Sequence, residues 1–263
     1  MNETQISPHA NGVRRRFTAR GRALSALALA VFFSLSSGAE VLAQRRVTKE
    51  YATGPSIRLF LVNRSGTITV ESWEKNKVKI SADMESRSAR VTPQFSGDGV
   101  TINVERENGE DVGEINFTIH VPVDSTVDIQ TKRGNITVRN VRGAVVRAKV
   151  STEGDIELTG IRSATVMAEN IMGNILFDAE LLRNGTYELK SMQGDIQIRI
   201  TADTGFRLIA TAPRTRNINL GGFASRGQFE FFSDKRKVVG KVGDGGASLN
   251  TTNGRGSITF MPR

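Results

Sequence analysis

The sequence contains no cysteine, and this absence excludes several kinds of chemistry. Disulfide bonds, thiolate metal sites, a cysteine nucleophile and the acylated cysteine of a bacterial lipoprotein all need that residue. Histidine is nearly absent too, since only His9 and His120 occur, and this excludes a histidine-based metal cluster. We therefore expect no metal and no cofactor, and any catalysis would depend on carboxylates, Lys, Tyr or Ser.

The sequence also lacks an apolar run long enough to span a bilayer. The longest, Ala23–Ser37, has about 15 residues where roughly 20 are needed. It follows the five arginines of segment 14–22, and segment 41–43 offers small residues at the positions that a signal peptidase reads. Residues 1–43 are therefore predicted to be a cleaved export signal. We expect the mature chain to be periplasmic or extracellular at the cell surface, without a permanent membrane span.

Basic residues outnumber acidic ones by 36 to 27, and the formal net charge of +9 falls to +6 without the export signal. Segment 132–149 contains six cations and no acid, so it is the candidate site for an anionic envelope polymer. These cations are Lys132, Arg133, Arg139, Arg142, Arg147 and Lys149. The alternative is that they only keep the surface soluble. The interleaved aromatic residues of a nucleic-acid groove are missing, so no specific nucleic acid is expected.

One short unit recurs along the chain: glycine, any residue, isoleucine, any residue, then a large apolar residue. It begins at Gly66, Gly134, Gly154, Gly173, Gly194 and Gly256, and Arg216 begins a variant without glycine. From Gly134 to Arg216 the steps are 20, 19, 21 and 22 residues. A second alternating segment lies between successive units. Each period is therefore predicted to hold two short strands joined by turns.

A unit of about 20 residues cannot fold alone. Ordering its backbone costs roughly 20–40 kcal/mol, whereas burying four apolar side chains returns roughly 6–12 kcal/mol. We therefore predict an all-β fold, a β-solenoid resembling a parallel β-helix, whose stacked coils pair in parallel. Residues 44–122 would form N-terminal strands or an irregular β cap, and 123–263 the solenoid repeats with a glycine-rich basic insertion at 221–246. The predicted buried column is Ile136, Ile156, Ile175, Ile196 and Ile218.

The second residue of the unit, directly after the glycine or Arg216, is polar and short in five successive units: Asn135, Asp155, Asn174, Asp195 and Asn217. No two acids are neighbours, as expected where stacked like charges about 4.8 Å apart would repel. We interpret this row as a structural ladder of Asx turns that bond to local backbone. The alternative is an acid pair for glycoside cleavage, but Asp155 and Asp195 would lie about 9.6 Å apart, just beyond the usual separation.

Several stretches resemble a known family. Leu61–Trp73 looks like an opening turn and strand that end in tryptophan, and Ile119–Val127 looks like a proline-containing entry to repeats. With the glycine-turn repeats from Gly134 onward, they resemble the bacterial "putative adhesin" β-strand-repeat family, a domain of unknown function. The resemblance covers most of the mature chain. It implies a β-solenoid in the cell envelope and brings no catalytic residues.

The leading hypothesis is a non-enzymatic exported protein that presents a repetitive surface to an envelope polymer or a protein partner. One alternative is a polysaccharide-active β-helix enzyme, for which Asp83, Glu85 and Asp98 are a possible acidic cluster. Another is a self-associating envelope scaffold that pairs through exposed terminal strands. The single tryptophan, Trp73, is interpreted as a core plug rather than a sugar-stacking platform, and His120 as structural.

Overall fold

The structure is a computed structural model that describes residues 45–86, 88–106 and 113–263. The predicted export signal therefore lies outside the described residues. Within them the chain forms strands and one short 3₁₀ helix, Gly221–Phe223, so the all-β prediction is confirmed. No helix in this part of the chain has the length and hydropathy needed to cross a membrane.

The strands form two large, mostly parallel sheets. The first sheet has ten strands, in the spatial order β1 (Arg45–Ala52), β4 (Lys77–Met84), β7 (Ile115–Pro122), β3 (Ile68–Trp73), β9 (Ile136–Arg139), β11 (Ile156–Ile161), β13 (Ile175–Ala179), β15 (Ile196–Ile200), β21 (Ile258–Pro262) and β17 (Ile218–Asn219). The second sheet has eleven, in the order β18 (Gly227–Phe232), β19 (Lys237–Val242), β16 (Phe206–Thr211), β20 (Ala247–Asn253), β14 (Thr186–Gln193), β12 (Thr165–Met172), β10 (Val145–Glu153), β8 (Thr126–Arg133), β2 (Arg58–Ser65), β6 (Gly99–Arg106) and β5 (Ala89–Ser96).

From β8 to β15 the chain alternates between the two sheets, and each strand pairs in parallel with the strand one period away. Ile156, for example, lies opposite Ile136 on one side and Ile175 on the other. Alternate side chains point inward, and those of both sheets form one buried hydrophobic cluster. The residues of the predicted N-terminal cap extend the same sheets, because β2 pairs with β8 and β3 with β9.

The last repeats stand in a different order from the predicted one. Strand β21 lies between β15 and β17, so the neighbour of Ile196 in the buried column is Ile258, and the prediction of Ile218 at that place is wrong. The reason is steric. A Cβ atom on Gly256 would lie 1.9 Å from the carbonyl oxygen of Gly194. Arg216, which carries a Cβ atom, cannot stack there.

Strand direction also differs from the prediction at both ends of the sheets. The pairs β1–β4, β4–β7 and β5–β6 near the N-terminus are antiparallel, as are β16–β19 and β18–β19 near the C-terminus. Two of these pairs, β5–β6 and β18–β19, are consecutive strands, which a short turn can join only in the antiparallel direction. The predicted insertion at 221–246 consists of the 3₁₀ helix and the β18–β19 hairpin.

Candidate binding surfaces

The polar ladder runs along the edge of the first sheet where the glycine turns lie. Four of its five side chains accept a hydrogen bond from a backbone N–H of the next repeat, so the predicted bonds to local backbone, as in Asx turns, are wrong. The bonds run from Asp155 N to Asn135 Oδ1 (2.8 Å), Asn174 N to Asp155 Oδ1 (2.6 Å), Asp195 N to Asn174 Oδ1 (2.8 Å) and Ser257 N to Asp195 Oδ1 (2.7 Å). The inserted β21 puts Ser257 after Asp195, so Asn217 is not the next member.

The carboxylates that an enzyme would use have structural partners. Asp155 and Asp195 both accept ladder bonds, with Asn174 between them. The acidic cluster considered from the sequence does not form. Asp83 on β4 pairs with Arg46 at 3.2 Å, while Asp98, beside β6 in the other sheet, pairs with Arg58, which lowers the pKa of Asp98. Among the described residues, no three His, Cys, Asp or Glu side chains could hold a metal ion.

The six candidate cations do not form one patch. Arg139 lies on the outer face of the first sheet, whereas Arg147 and Lys149 lie on the second. Parallel stacking also brings acids from other repeats beside them, although segment 132–149 contains none. The resulting ion pairs are Arg139–Glu157 (3.2 Å), Arg147–Asp128 (2.8 Å) and Lys149–Glu169 (3.2 Å).

The other three candidate cations, Lys132, Arg133 and Arg142, are exposed and make no ion pair with another described residue. Arg142 follows β9 and lies away from the glycine turns. Lys132 and Arg133 end β8 beside the end of β2. Arg133 borders a groove there of about 420 Å³, whose lining also includes Asn135, Glu153, Asp155, Met172 and three turn glycines.

The centre of the second sheet presents a surface of mixed charge. A shallow groove of about 310 Å³ is lined by Gln130, Arg147, Lys149, Met167, Ala168, Glu169, Glu188 and Lys190. Lys149, Glu169 and Lys190 are direct neighbours on three adjacent strands, so charges alternate along this row. A hydrogen bond from Lys190 to Glu188 raises the pKa of Lys190. The cations of this groove are therefore largely compensated.

Comparison with known proteins finds similarity to solved structures of bacterial proteins. No protein-family model matches the sequence, and no curated protein matches it. A "putative cell adhesion protein" from Clostridium sporogenes is 11% identical, with a TM-score of 0.43, over 83% of this chain and 100% of its own. A "putative adhesin" from Bacteroides fragilis is 11% identical, with a TM-score of 0.35, over 83% and 98%. Another from Parabacteroides merdae is 11% identical, with a TM-score of 0.27, over 60% and 79%. These names agree with the family that the sequence resembles.

Trp73 lies on the outer face of the first sheet, so its interpretation as a core plug is wrong. Its ring centroid lies 5.0 Å from that of His120, and Lys75 Nζ lies 4.8 Å from the ring. Its Nε1 donates a hydrogen bond to the Lys77 carbonyl (2.8 Å). Alternation along β3 could have located it, because Ile68 and Val70 point inward and position 73 is therefore outward.

A further surface was not predicted from the sequence. The β18–β19 hairpin exposes Phe231 and Phe232 next to the cations of segment 235–241. The basic composition of this insertion and its break in the repeat are visible in the sequence. The run Gln-Phe-Glu-Phe-Phe before the turn is visible too, but the exposure of its aromatic residues was not predicted.

Proposed function

We propose that the protein is a non-enzymatic, exported cell-envelope protein whose two sheets form a β-solenoid and whose glycine-turn edge binds an extended anionic envelope polymer. The observation that carries this proposal is the arrangement of the charged groups. Asp155 and Asp195 accept ladder bonds, and three more acids on the central strands pair with cations of neighbouring strands: Asp128, Glu157 and Glu169. Such an arrangement favours display of a surface over catalysis.

The glycine-turn edge offers a strip that is suited to an extended chain. Six turn glycines are stacked so closely that an added Cβ atom would meet the preceding backbone at 1.9–2.3 Å. These glycines are Gly66, Gly134, Gly154, Gly173, Gly194 and Gly256. The backbone of these glycines therefore forms the base of the strip, and side chains border it on both sides. Equivalent positions of successive repeats lie about 4.8 Å apart.

Charge on this strip favours an anionic ligand at one end. Arg64, on β2, lies next to Lys132, on β8, and Arg133 follows. All three are exposed. Glu153, at the end of the neighbouring strand β10, lies opposite Arg133. The positive region is therefore confined to the end of the strip beside β2 and β8. Contacts between these cations and a polymer should weaken with added salt.

The test is co-sedimentation of the purified protein with lipid-free cell walls that carry teichoic acid, over a series of salt concentrations. We expect salt-reversible binding without release of sugar. The double substitution Lys132→Gln/Arg133→Gln should weaken binding by roughly two- to thirtyfold, as two exposed ion pairs of about 0.2–1 kcal/mol would predict.

The matched control is Arg147→Gln/Lys149→Gln, which removes two cations that already have acidic partners. It should bind the walls like the unchanged protein. Equal losses in both variants would show that net charge, not the glycine-turn edge, governs binding. Release of sugar would contradict the non-enzymatic proposal, and absence of binding at every salt concentration would contradict the polymer ligand.

A further inference from the structure

The β18–β19 hairpin extends the second sheet beyond its last repeat. Strand β19 pairs with β16, and β18 pairs with β19 alone, so β18 is an edge strand. The repeat pattern resumes only afterwards, at Gly256. The hairpin is thus an addition to the repeats, and its surface needs an explanation of its own.

Two large apolar side chains are exposed at the tip of this hairpin. Phe231 is 53% exposed and Phe232 is 43% exposed. Because neighbouring residues of a strand point to opposite faces, the tip carries an aromatic ring on each side. Ile209, 43% exposed on β16, lies on the same face as Phe232. Exposed aromatic side chains of this size at one tip indicate an interaction surface.

Cations follow these aromatic residues directly. Lys235, Arg236, Lys237 and Lys241 are all exposed, and none makes an ion pair with another described residue. Asp234, in the same turn, pairs with Arg216, which compensates its charge. Lys241 also lies opposite Arg207 across the β16–β19 pair. The aromatic tip is therefore bordered by the uncompensated charges of Lys235, Arg236 and Lys237, while Lys241 lies further along β19, opposite Gln228.

The turn itself has a conformation that is rare for residues other than glycine. Ser233, Asp234 and Lys235 have φ angles of 52°, 56° and 63°. Glycine would adopt these angles without strain, yet the sequence has polar and charged side chains at all three positions. A strained segment of this kind points to a function for the side chains that it presents.

We propose that this hairpin docks onto a bilayer with anionic headgroups. Phe231 and Phe232 would enter the boundary between headgroups and acyl chains, and the cations of the turn, Lys235, Arg236 and Lys237, would contact lipid phosphates. A water-soluble polyanion would use the cations but leave the rings in water. A second copy paired along β18 would bring the same positive charges together. An anionic bilayer satisfies both features, and the inference does not depend on the glycine-turn edge.

The experiment is co-sedimentation of the protein with two kinds of vesicle: equimolar phosphatidylglycerol and phosphatidylcholine, and phosphatidylcholine alone. We expect binding to the first kind only, weakened by salt. Phe231→Ser/Phe232→Ser should abolish it. Lys235→Gln/Arg236→Gln/Lys237→Gln should weaken it on the order of 100-fold, since each cation near an anionic surface contributes about a fivefold change in affinity. Phe232→Trp should bind and show a blue-shifted fluorescence on binding.

Two controls separate this surface from the others. Met172→Ser/Met192→Ser removes exposed apolar groups at the glycine turns, and Lys132→Gln/Arg133→Gln removes the polymer-binding cations. Both should bind the vesicles normally. Unchanged vesicle binding by the hairpin variants, or no binding to anionic vesicles, would overturn the proposal. A molecular mass that rises with protein concentration and is lost in Phe231→Ser/Phe232→Ser would assign the hairpin to self-association instead.

Discussion

Asp155 Oδ1 lies 2.6 Å from the backbone nitrogen of Asn174 in the next repeat. The ladder therefore joins separate repeats. Its side chains accept hydrogen bonds from backbone N–H groups that would otherwise bond to water. Asp155→Ala should lower the free energy of unfolding by about 1–2 kcal/mol, because the Asn174 N–H loses its acceptor. Asp155→Asn keeps an acceptor oxygen and should cost less than half as much.

Denaturant unfolding of both variants measures this difference. Asn217→Ala is the control, since no ladder bond in the described residues uses the Asn217 side chain, and it should leave stability unchanged. An equal loss in Asp155→Ala and Asp155→Asn would mean that charge, and not the hydrogen bond, stabilises the stack.

The glycine column predicts a second effect. A Cβ atom on Gly194 would lie 2.0 Å from the Gly173 carbonyl oxygen, whereas one on Gly97 would meet nothing within 4 Å. Both glycines have positive φ, 131° and 59°. Gly97→Ala should thus cost about 1–2 kcal/mol for its backbone angle alone. Gly194→Ala adds the clash and should cost about 3–5 kcal/mol. Chemical denaturation of the two variants measures the combined cost of the clash and of the 131° angle at Gly194, and equal losses would contradict the close stacking of the glycine column.

Burial of alternate side chains predicts a third effect. Phe177 is fully buried and its ring lies 5.8 Å from that of Tyr187, whereas its neighbour Leu176 points outward. Phe177→Ala should destabilise the protein by about 3–5 kcal/mol, and Leu176→Ala by about 1 kcal/mol or less. Thermal unfolding would show the difference, and the reverse order would place β13 in the opposite orientation.

Tyr187 predicts a dependence of stability on alkaline pH. Burial raises the pKa of this phenol, whose oxygen accepts the Leu182 N–H (2.6 Å) and donates to the Ser163 carbonyl (3.0 Å). The folded protein therefore keeps this proton when the unfolded chain has released it. The free energy of unfolding should fall as pH rises above about 10.

Tyr187→Phe tests this mechanism. The variant should lose about 1–3 kcal/mol at neutral pH, because the Leu182 N–H becomes unsatisfied in the interior. Its decline above pH 10 should be shallower than that of the unchanged protein. Unfolding curves at pH 7 and at about pH 11 are sufficient, and parallel declines would exclude Tyr187 as the titrating group.

The sequence period predicted the central strands because glycine and isoleucine recur there at regular steps, as in the pairing of Ile156 with Ile175. It could not predict the place of β17, because Arg216 matches the period but has a side chain where stacking requires none. Ion pairs such as Arg147–Asp128 were missed since their members lie 19 residues apart. The antiparallel strands near the N-terminus lack the glycine unit and carried no register signal.

Strands β20 and β21 are synthesised last but lie between repeats that are synthesised earlier. While the chain leaves the ribosome, β14 and β15 each have an unpaired edge, because the strands that will pair with it have not yet been synthesised. Strand β16 must leave room for them, even though it is available first. Assembly of this end is therefore not vectorial, and a nascent chain stopped before residue 247 would lack the strands that join its final two layers.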